Sequence, residues 1–341
     1  MRWAARLTAS LVCPLVMAAL AGSAHASTVP QPPGEPAPGY TRLGVGSEHP
    51  TRFDTLTRHH HDVWLRFAML GGSWSKYRMI ASWINEAAHQ HRIAMITLSA
   101  TPALTRKPLW PRAIARGRAD AYFIDYSRQA NGTGQVVWFR PWQEMNGYWS
   151  SMCAYNANGT RRAGHSAKNF RRAFRRAAVI LRGGTKAQIN AKLVAAGLPK
   201  LQSRLGTGGI APSGKVAIVW NPQGAGAPNV RGNQPINYYP GKRYVDYVAD
   251  DLYEIGGRAY WRGMQPLYNY GKPFILGEYA PWGNDDPAFV SKVLSWARTH
   301  PRTAALVYFQ FSRPAFRLSS KPRSLKVYRT LAGRRVFDTT I

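Results

Sequence analysis

Acidic side chains are scarce in this sequence. Against 46 Lys and Arg it carries 16 Asp and Glu, a formal net charge of +30 over 341 residues. Cysteine is nearly absent as well. Cys13 falls in an apolar N-terminal stretch and Cys153 is the one other, which excludes an intramolecular disulfide framework in whatever lies beyond that stretch. After the first 26 residues no run is long and apolar enough to span a bilayer. No glycine-rich phosphate loop follows the first strand-like segment, and no nucleic-acid fold motif is present, so nucleic acid is not an expected partner. Without staples the chain must rely on a core, and roughly 300 residues can supply one.

What is there begins at the N-terminus. Arg2 and Arg6 precede a short, mostly apolar run from Leu7 to Leu20, followed by Ala24-His25-Ala26. That is the pattern of a secretory signal peptide over residues 1–26, with cleavage expected after Ala26 and a secreted, periplasmic or extracellular location. Residues 27–40, "STVPQPPGEPAPGY", read as a Pro-rich lead-in. Residues 41–341 then form a single domain. Arginines cluster on helical segments such as "KNFRRAFRRAAVILR" (168–182), mostly on one face. The charge reads first as solvated helix faces, with electrostatic attraction to anionic polymers or a cell envelope left open.

Eight apolar, strand-like runs follow one another at 42–46, 63–70, 93–100, 135–140, 215–220, 244–253, 273–279 and 304–311. They are continuous rather than alternating, as suits parallel strands buried on both faces. Amphipathic segments separate them. In "SKYRMIASWINEAAHQH" (75–91), Met79, Trp83 and Ala87 share a stripe. "DPAFVSKVLSWARTH" (286–300) is capped by Asp285 or Asp286 and stopped by Pro301. Eight such alternations without a break in composition describe an α/β protein, a (β/α)₈ barrel. The stretches 181–209 and 224–241 read as long connections. "HHHD" (59–62) precedes a strand, which puts it at the foot of the barrel, and no metal or other cofactor is expected.

Two of the six glutamates stand apart. Glu144, in "RPWQEMNGYW", and Glu278, in "ILGEYAPWG", each lie at or just past the end of an apolar strand, the fourth and the seventh. Two carboxylates entering one pocket from opposite sides is the arrangement that cleaves a glycosidic bond. The acid needs a raised pKa and the nucleophile must stay ionised. Trp74, Trp149, Trp220 and Trp282 lie at or beyond strand ends, where indole faces stack on the C–H faces of sugars.

The motifs resemble those of glycoside hydrolase family 26, best known for β-mannanases. Arg140-Pro141-Trp142-Gln143-Glu144-Met145-Asn146-Gly147 with Trp149 is similar to the family's Arg-Pro-x-His-Glu-Met-Asn-Gly and following Trp. Tyr239-Pro240-Gly241, Tyr244-Val245-Asp246 and Asp251-Leu252-Tyr253 resemble a second family segment, and Lys272-Pro273 with Gly277-Glu278 a third. The resemblance implies a cofactor-independent retaining β-glycanase on a (β/α)₈ barrel, with β-mannan or a related β-glycan as substrate. It makes Glu144 the acid/base and Glu278 the nucleophile, with Tyr253 bonded to the nucleophile. Arg140, Gln143, Asn146, Trp149, Trp220 and Trp282 complete the expected substrate site. The family's usual His before the acid/base is Gln143 here, a side chain that still donates and accepts hydrogen bonds but cannot carry a charge.

Overall fold

A computed structural model describes residues 31–70, 79–102, 107–206, 208–311 and 313–339. The expected signal peptide and Trp74 lie outside the described residues. Eight parallel strands close into one barrel in chain order. They are β1 (Arg42–Gly46), β2 (Val63–Leu70), β3 (Ile93–Pro102), β4 (Val137–Pro141), β5 (Val216–Trp220), β6 (Tyr247–Ile255), β7 (Phe274–Trp282) and β8 (Thr303–Phe309). The (β/α)₈ barrel expected from the alternation is the observed fold, and the short run 42–46 is its first strand, paired to β8 as well as β2.

The helices that cover it are α1 (Pro50–Thr57), α2 (Met79–His89), α3 (Pro111–Ala115), α4 (Asp120–Thr133), α5 (Ala167–Leu181), α6 (Lys186–Ala195), α7 (Pro235–Tyr238), α8 (Met264–Tyr268), α9 (Pro287–Thr299) and α10 (Pro322–Ala332). Two aspartates that compete in sequence for one cap serve two helices. Asp286 accepts from the Phe289 amide at the start of α9, while Asp285 accepts from the Arg323 and Ser324 amides at the start of α10. The stretch 181–209 is not one connection. It contains α6, opened by a capping box in which Thr185 and Gln188 satisfy each other's backbone amides.

Strand parity divides the core into two layers. Val63, Leu65, Ile93, Met95, Trp138, Val219, Tyr247, Ile275 and Val307 fill the barrel interior, while their strand neighbours Trp64, Val137, Phe139 and Ile218 pack outward against the helices. The lead-in does not trail away. The unit spans Pro32–Ile341, and the Pro33 carbonyl accepts from Trp138 Nε1 at 2.8 Å and from the Tyr247 hydroxyl at 3.0 Å. A Cβ on Gly34 would stand 2.8 Å from Ile93 and 2.9 Å from Trp138, so glycine lets this segment plug the barrel's lower end.

The arginine-rich helix α5 is less of a solvated face than its pattern suggests. Arg176 is buried, Arg175 Nε donates to the Pro240 carbonyl at 2.8 Å, and Arg171 donates to the Asn237 carbonyl. Of the two Asn-Gly-Thr sequons, Asn131 is buried, with its amide bonded to Leu181 and Ser213, and Asn158 is exposed. Among the described residues no helix is long and apolar enough to cross a membrane.

Candidate active site

Following the inward parity of each strand upward leads out of the apolar barrel core into a polar layer. Above Trp138 on β4 comes Arg140, above Met95 on β3 comes Thr97, above Ile275 on β7 comes Gly277, and Asn221 follows the end of β5. Arg140 is wholly buried and is the hub. Its Nε donates to Thr97 Oγ1 at 2.7 Å and its Nη2 to Glu278 Oε1 at 2.5 Å. Its Nη1 reaches both Asn221 Oδ1 and Asp251 Oδ1 at 3.1 Å. Tyr253 on β6 donates its hydroxyl to the other oxygen of Glu278 at 2.6 Å. The Gly-Glu pair has a physical reason, since a Cβ at 277 would sit 2.4 Å from Asn221 Oδ1 and 2.8 Å from Arg140 Nη1.

Glu144 arrives differently. The chain leaves β4 through a tight turn in which Trp142 and Glu144 both take φ of +54°, a left-handed conformation that costs non-glycine residues energy and clusters at functional sites. The turn sends Trp142 outward among Phe123, Phe170 and Phe174 and leaves Glu144 facing inward. Trp149 Nε1 donates to Glu144 Oε2 at 2.6 Å, and Gln223 Nε2 donates to Oε1. Glu144 lines a cavity of about 350 Å³ together with Phe67, Thr97, Gln143, Trp149 and Ser151.

The two glutamates have opposite surroundings. Loss of water, then the negative charge of Glu278, raises the Glu144 carboxyl to about 7 against the pull of its two donors and of Arg140. Glu278 instead accepts from Arg140 and Tyr253. Burial works against the charge of Arg140, but the attraction of Glu278 and Asp251 outweighs it and raises its pKa further. Burial and the same two carboxylates push Tyr253 well above its usual value, so it remains a donor. Two more buried carboxyls stand beside them. Asp250 is pushed by burial up to about 8, and Asp251 well above the carboxylate range by burial and by Glu278. The cluster therefore sets one buried guanidinium, Arg140, against both Glu278 and Asp251, beside further carboxyls that burial drives toward their protonated forms.

Some expected site residues sit elsewhere. Trp220 is wholly buried against Tyr239 and Tyr270, so it offers no face to a sugar; its place on β5 points it outward into the helix layer. Asn146 is also buried. Its Oδ1 accepts from the Gln223 amide at 2.8 Å and its Nδ2 donates to the Gln223 carbonyl at 2.9 Å, so it fixes that loop rather than meeting a ligand. Arg140 too acts through the carboxylates it holds. Gln143, Trp149 and Trp282 face open space, Trp282 with one side packed on Tyr253 and Phe316. Gln223, Asp250, Asp251, Asn221 and Thr97 were not anticipated. Strand parity is the signal that finds Thr97, and Asp251 stands two residues before Tyr253 in the motif that marked that tyrosine.

Cavity size does not identify this site. A larger cavity, about 750 Å³, lies at the barrel's lower end between His59, His60, Asp62 and Arg334. His61 there is buried and bonded to Asp54 and Tyr328, which ties the "HHHD" stretch into packing.

No family model matches the chain. Among curated proteins it is 24% identical over 240 residues to Endoglucanase H of Acetivibrio thermocellus; the match takes in 64% of this chain and 23% of that protein, so the chain spans about a quarter of its length. Among solved structures it is similar to a modular endo-β-1,4-mannanase of glycoside hydrolase family 26 from Cellulomonas fimi, with a TM-score of 0.61 and 17% identity over 89% of this chain and 75% of that one. GH26A from Muricauda sp. gives 0.58 and 15%, covering 89% and 93%. A GH26 β-mannanase from Bacteroides ovatus gives 0.53 and 13%, covering 88% and 90%. At these identities the structural likeness is one of fold, the closed (β/α)₈ barrel.

Proposed function

We propose that this chain is an exported, retaining endo-β-glycanase that hydrolyses β-1,4-mannosidic linkages in mannan-type polysaccharides, with Glu144 as acid/base and Glu278 as nucleophile. The observation that carries this reading is the asymmetry of the two glutamates: one raised to about 7 at a cavity wall, the other held by Arg140 and Tyr253. In the first step a Glu278 oxygen bonds the anomeric carbon as the glycosidic bond breaks, and the Glu144 proton goes to the departing oxygen. The resulting ester no longer carries the Glu278 charge. One of the two causes that raise Glu144 is then gone, so its carboxylate becomes the stable form as a base is needed. In the second step Glu144 takes a proton from water while the water oxygen replaces Glu278 at the anomeric carbon.

The test is a polysaccharide panel of β-1,4-mannan, mixed-linkage β-glucan and β-xylan, assayed with wild type, Glu144→Ala and Glu278→Ala. Both variants lose about 10²- to 10⁴-fold or more in reducing-end release, and the wild-type product keeps its anomeric configuration. Full activity in either variant sinks the assignment of these two roles, whereas binding without hydrolysis by the wild type leaves a carbohydrate-binding protein on the same scaffold. Gln143, on the cavity wall where the family usually has His, bears on which sugar is admitted, and the same panel separates mannan from β-glucan and β-xylan. The export part rests on Arg2, Arg6 and the run that follows. N-terminal sequencing of the protein recovered outside the cell should begin at Ser27.

A further inference from the structure

The cavity at Glu144 is continued outward by two residues of its wall. Ala100 on β3 and Ser151 in the segment after β4 both line it, and each is bonded to a residue of the next layer out. The Leu109 amide donates to the Ala100 carbonyl at 2.9 Å, and His165 Nε2 meets the Ser151 carbonyl at 3.1 Å. Those two bonds bring Trp110 and His165 together at the cavity rim. Their rings lie 5.4 Å apart between centroids, tilted by 46°.

Trp110 is 52% exposed, yet it is held in place. Its carbonyl accepts from the Ala113 and Ile114 amides at 2.9 and 3.1 Å as α3 begins, and Pro111 fixes the first helical residue. Gly164, with φ of +73°, lies against the indole; a Cβ there would stand 2.8 Å from Trp110 Cζ3. Arg162 ties the same loop to the cavity wall, its Nη1 donating to the Ser150 carbonyl at 2.8 Å. One part of the ring is braced by His165 and Gly164 and the rest is open. A ring fixed in this way loses little freedom when a ligand covers it.

The order of strands decides which part of a glycan would reach it. Trp110 follows β3 and His165 lies between β4 and α5, whereas Glu278 is on β7, which pairs with β6 and β8. The ring therefore stands on the Glu144 side of the barrel, across from the nucleophile. Glu144 gives its proton to the departing oxygen, so the departing part of the chain extends on that side.

We propose that Trp110, braced by Gly164 and His165, is a stacking platform for a sugar ring in the departing part of the β-glycan. The claim rests on the glycosidase reading above and gives it an extended site on the acid/base side, as cutting inside a chain requires. β-Mannose and β-glucose both carry the axial hydrogens of C1, C3 and C5 on one face. The platform accepts either sugar and leaves the choice between them to residues beside Glu144. Covering about 60 Å² of apolar ring corresponds to about tenfold in affinity.

The experiment has a binding arm and a cleavage arm, each run with β-1,4-mannohexaose and cellohexaose. Calorimetric titration into the Glu278→Gln protein reads binding without hydrolysis. Adding Trp110→Ala should weaken the bound hexaose about tenfold. Trp110→Phe should restore most of that affinity, and Gly164→Ala, which displaces the ring without removing it, should weaken binding as well. In the cleavage arm Glu278 is intact and the hexaose carries ¹⁸O at its reducing end, so the fragments report which bond is cut. Trp110→Ala should move the cut toward the reducing end, because fewer rings are then held on the departing side. A damaged fold slows every bond alike and moves none. An unchanged affinity or an unmoved cut in Trp110→Ala overturns the platform and leaves the glycosidase standing. Ring-dependent binding with no hydrolysis of either hexaose retains sugar stacking at Trp110 and sinks the glycosidase. Neither binding nor hydrolysis overturns both.

Discussion

Two buried arginines separate structure from chemistry in this molecule. Arg176 on α5 is wholly buried beside one carboxylate, Asp120, which it meets through Nε and Nη2 at 2.6 Å each; its remaining donors reach the carbonyls of Pro199 and Lys200. Asp120 also accepts from the Gln202 amide. Charge is balanced one to one and both partners are saturated. Arg140 is just as buried but faces Glu278 and Asp251 together, with Glu144 and Asp250 close enough to feel each other's charge. Asp251 Oδ2 has no hydrogen-bond partner. A balanced pair locks packing, whereas a surplus of carboxyls around one cation leaves protons that can move.

The contrast makes measurable differences. Arg176→Met should be the most damaging to stability, because it leaves Asp120 buried without a counter-charge, at a cost of about 3–5 kcal/mol; thermal melts should drop while activity per folded molecule persists. Arg140→Met should do the reverse. The neighbouring carboxyls can take up protons, so the melting temperature falls less than in Arg176→Met, while turnover on mannan falls about 10²- to 10³-fold, as expected when a positioned donor beside the reacting centre is lost. If the two variants lose stability equally, the distinction fails.

Asp250→Asn probes the surplus itself. A carboxyl raised by burial from 3.8 to about 8 binds its proton more tightly folded than unfolded, so its favourable contribution is complete below about pH 4 and is lost as pH rises toward 8. The variant should melt like wild type near pH 4 and progressively higher than wild type up to pH 8, with a level difference beyond. A constant difference across that range would contradict it. The smallest effect is expected from Gln223→Ala. Wild-type activity should decline as pH rises through about 7, where Glu144 loses its proton. Gln223 donates to the charged form of Glu144 and holds its pKa down, so removing it should move that alkaline limb upward. A limb that moves downward would rule out this role.

Much of the site was legible because its chemistry is local in sequence. Glu144 follows its strand and Glu278 and Tyr253 lie in the later part of theirs, each announced by an apolar run, and the closed barrel brings strands 4, 6 and 7 to one end whatever the connecting helices contain. The misplaced residues share one cause. Trp220 and Asn146 lie at the right height on the barrel, but a strand residue faces in or out by parity, and a turn residue by its dihedral angles. The φ of +54° at Trp142 and Glu144 turns their side chains in opposite senses, which no residue pattern announces. Gln223 was missed because it reaches Glu144 from 79 positions away.

The amino-acid sequence alone determined the eight alternations, the strand-end glutamates and the scarcity of other acids that made those two conspicuous. These follow from hydrophobic pattern and residue type, which are properties of the chain itself. Folding decided how protons and charge are shared. It set Arg140 between Glu278 and Asp251, withdrew water from Glu144 and Asp250, and carried a lead-in that reads as loose under the barrel's floor. A pKa depends on burial and on charges brought within a few ångströms from distant parts of the chain, and those exist only once the barrel has closed.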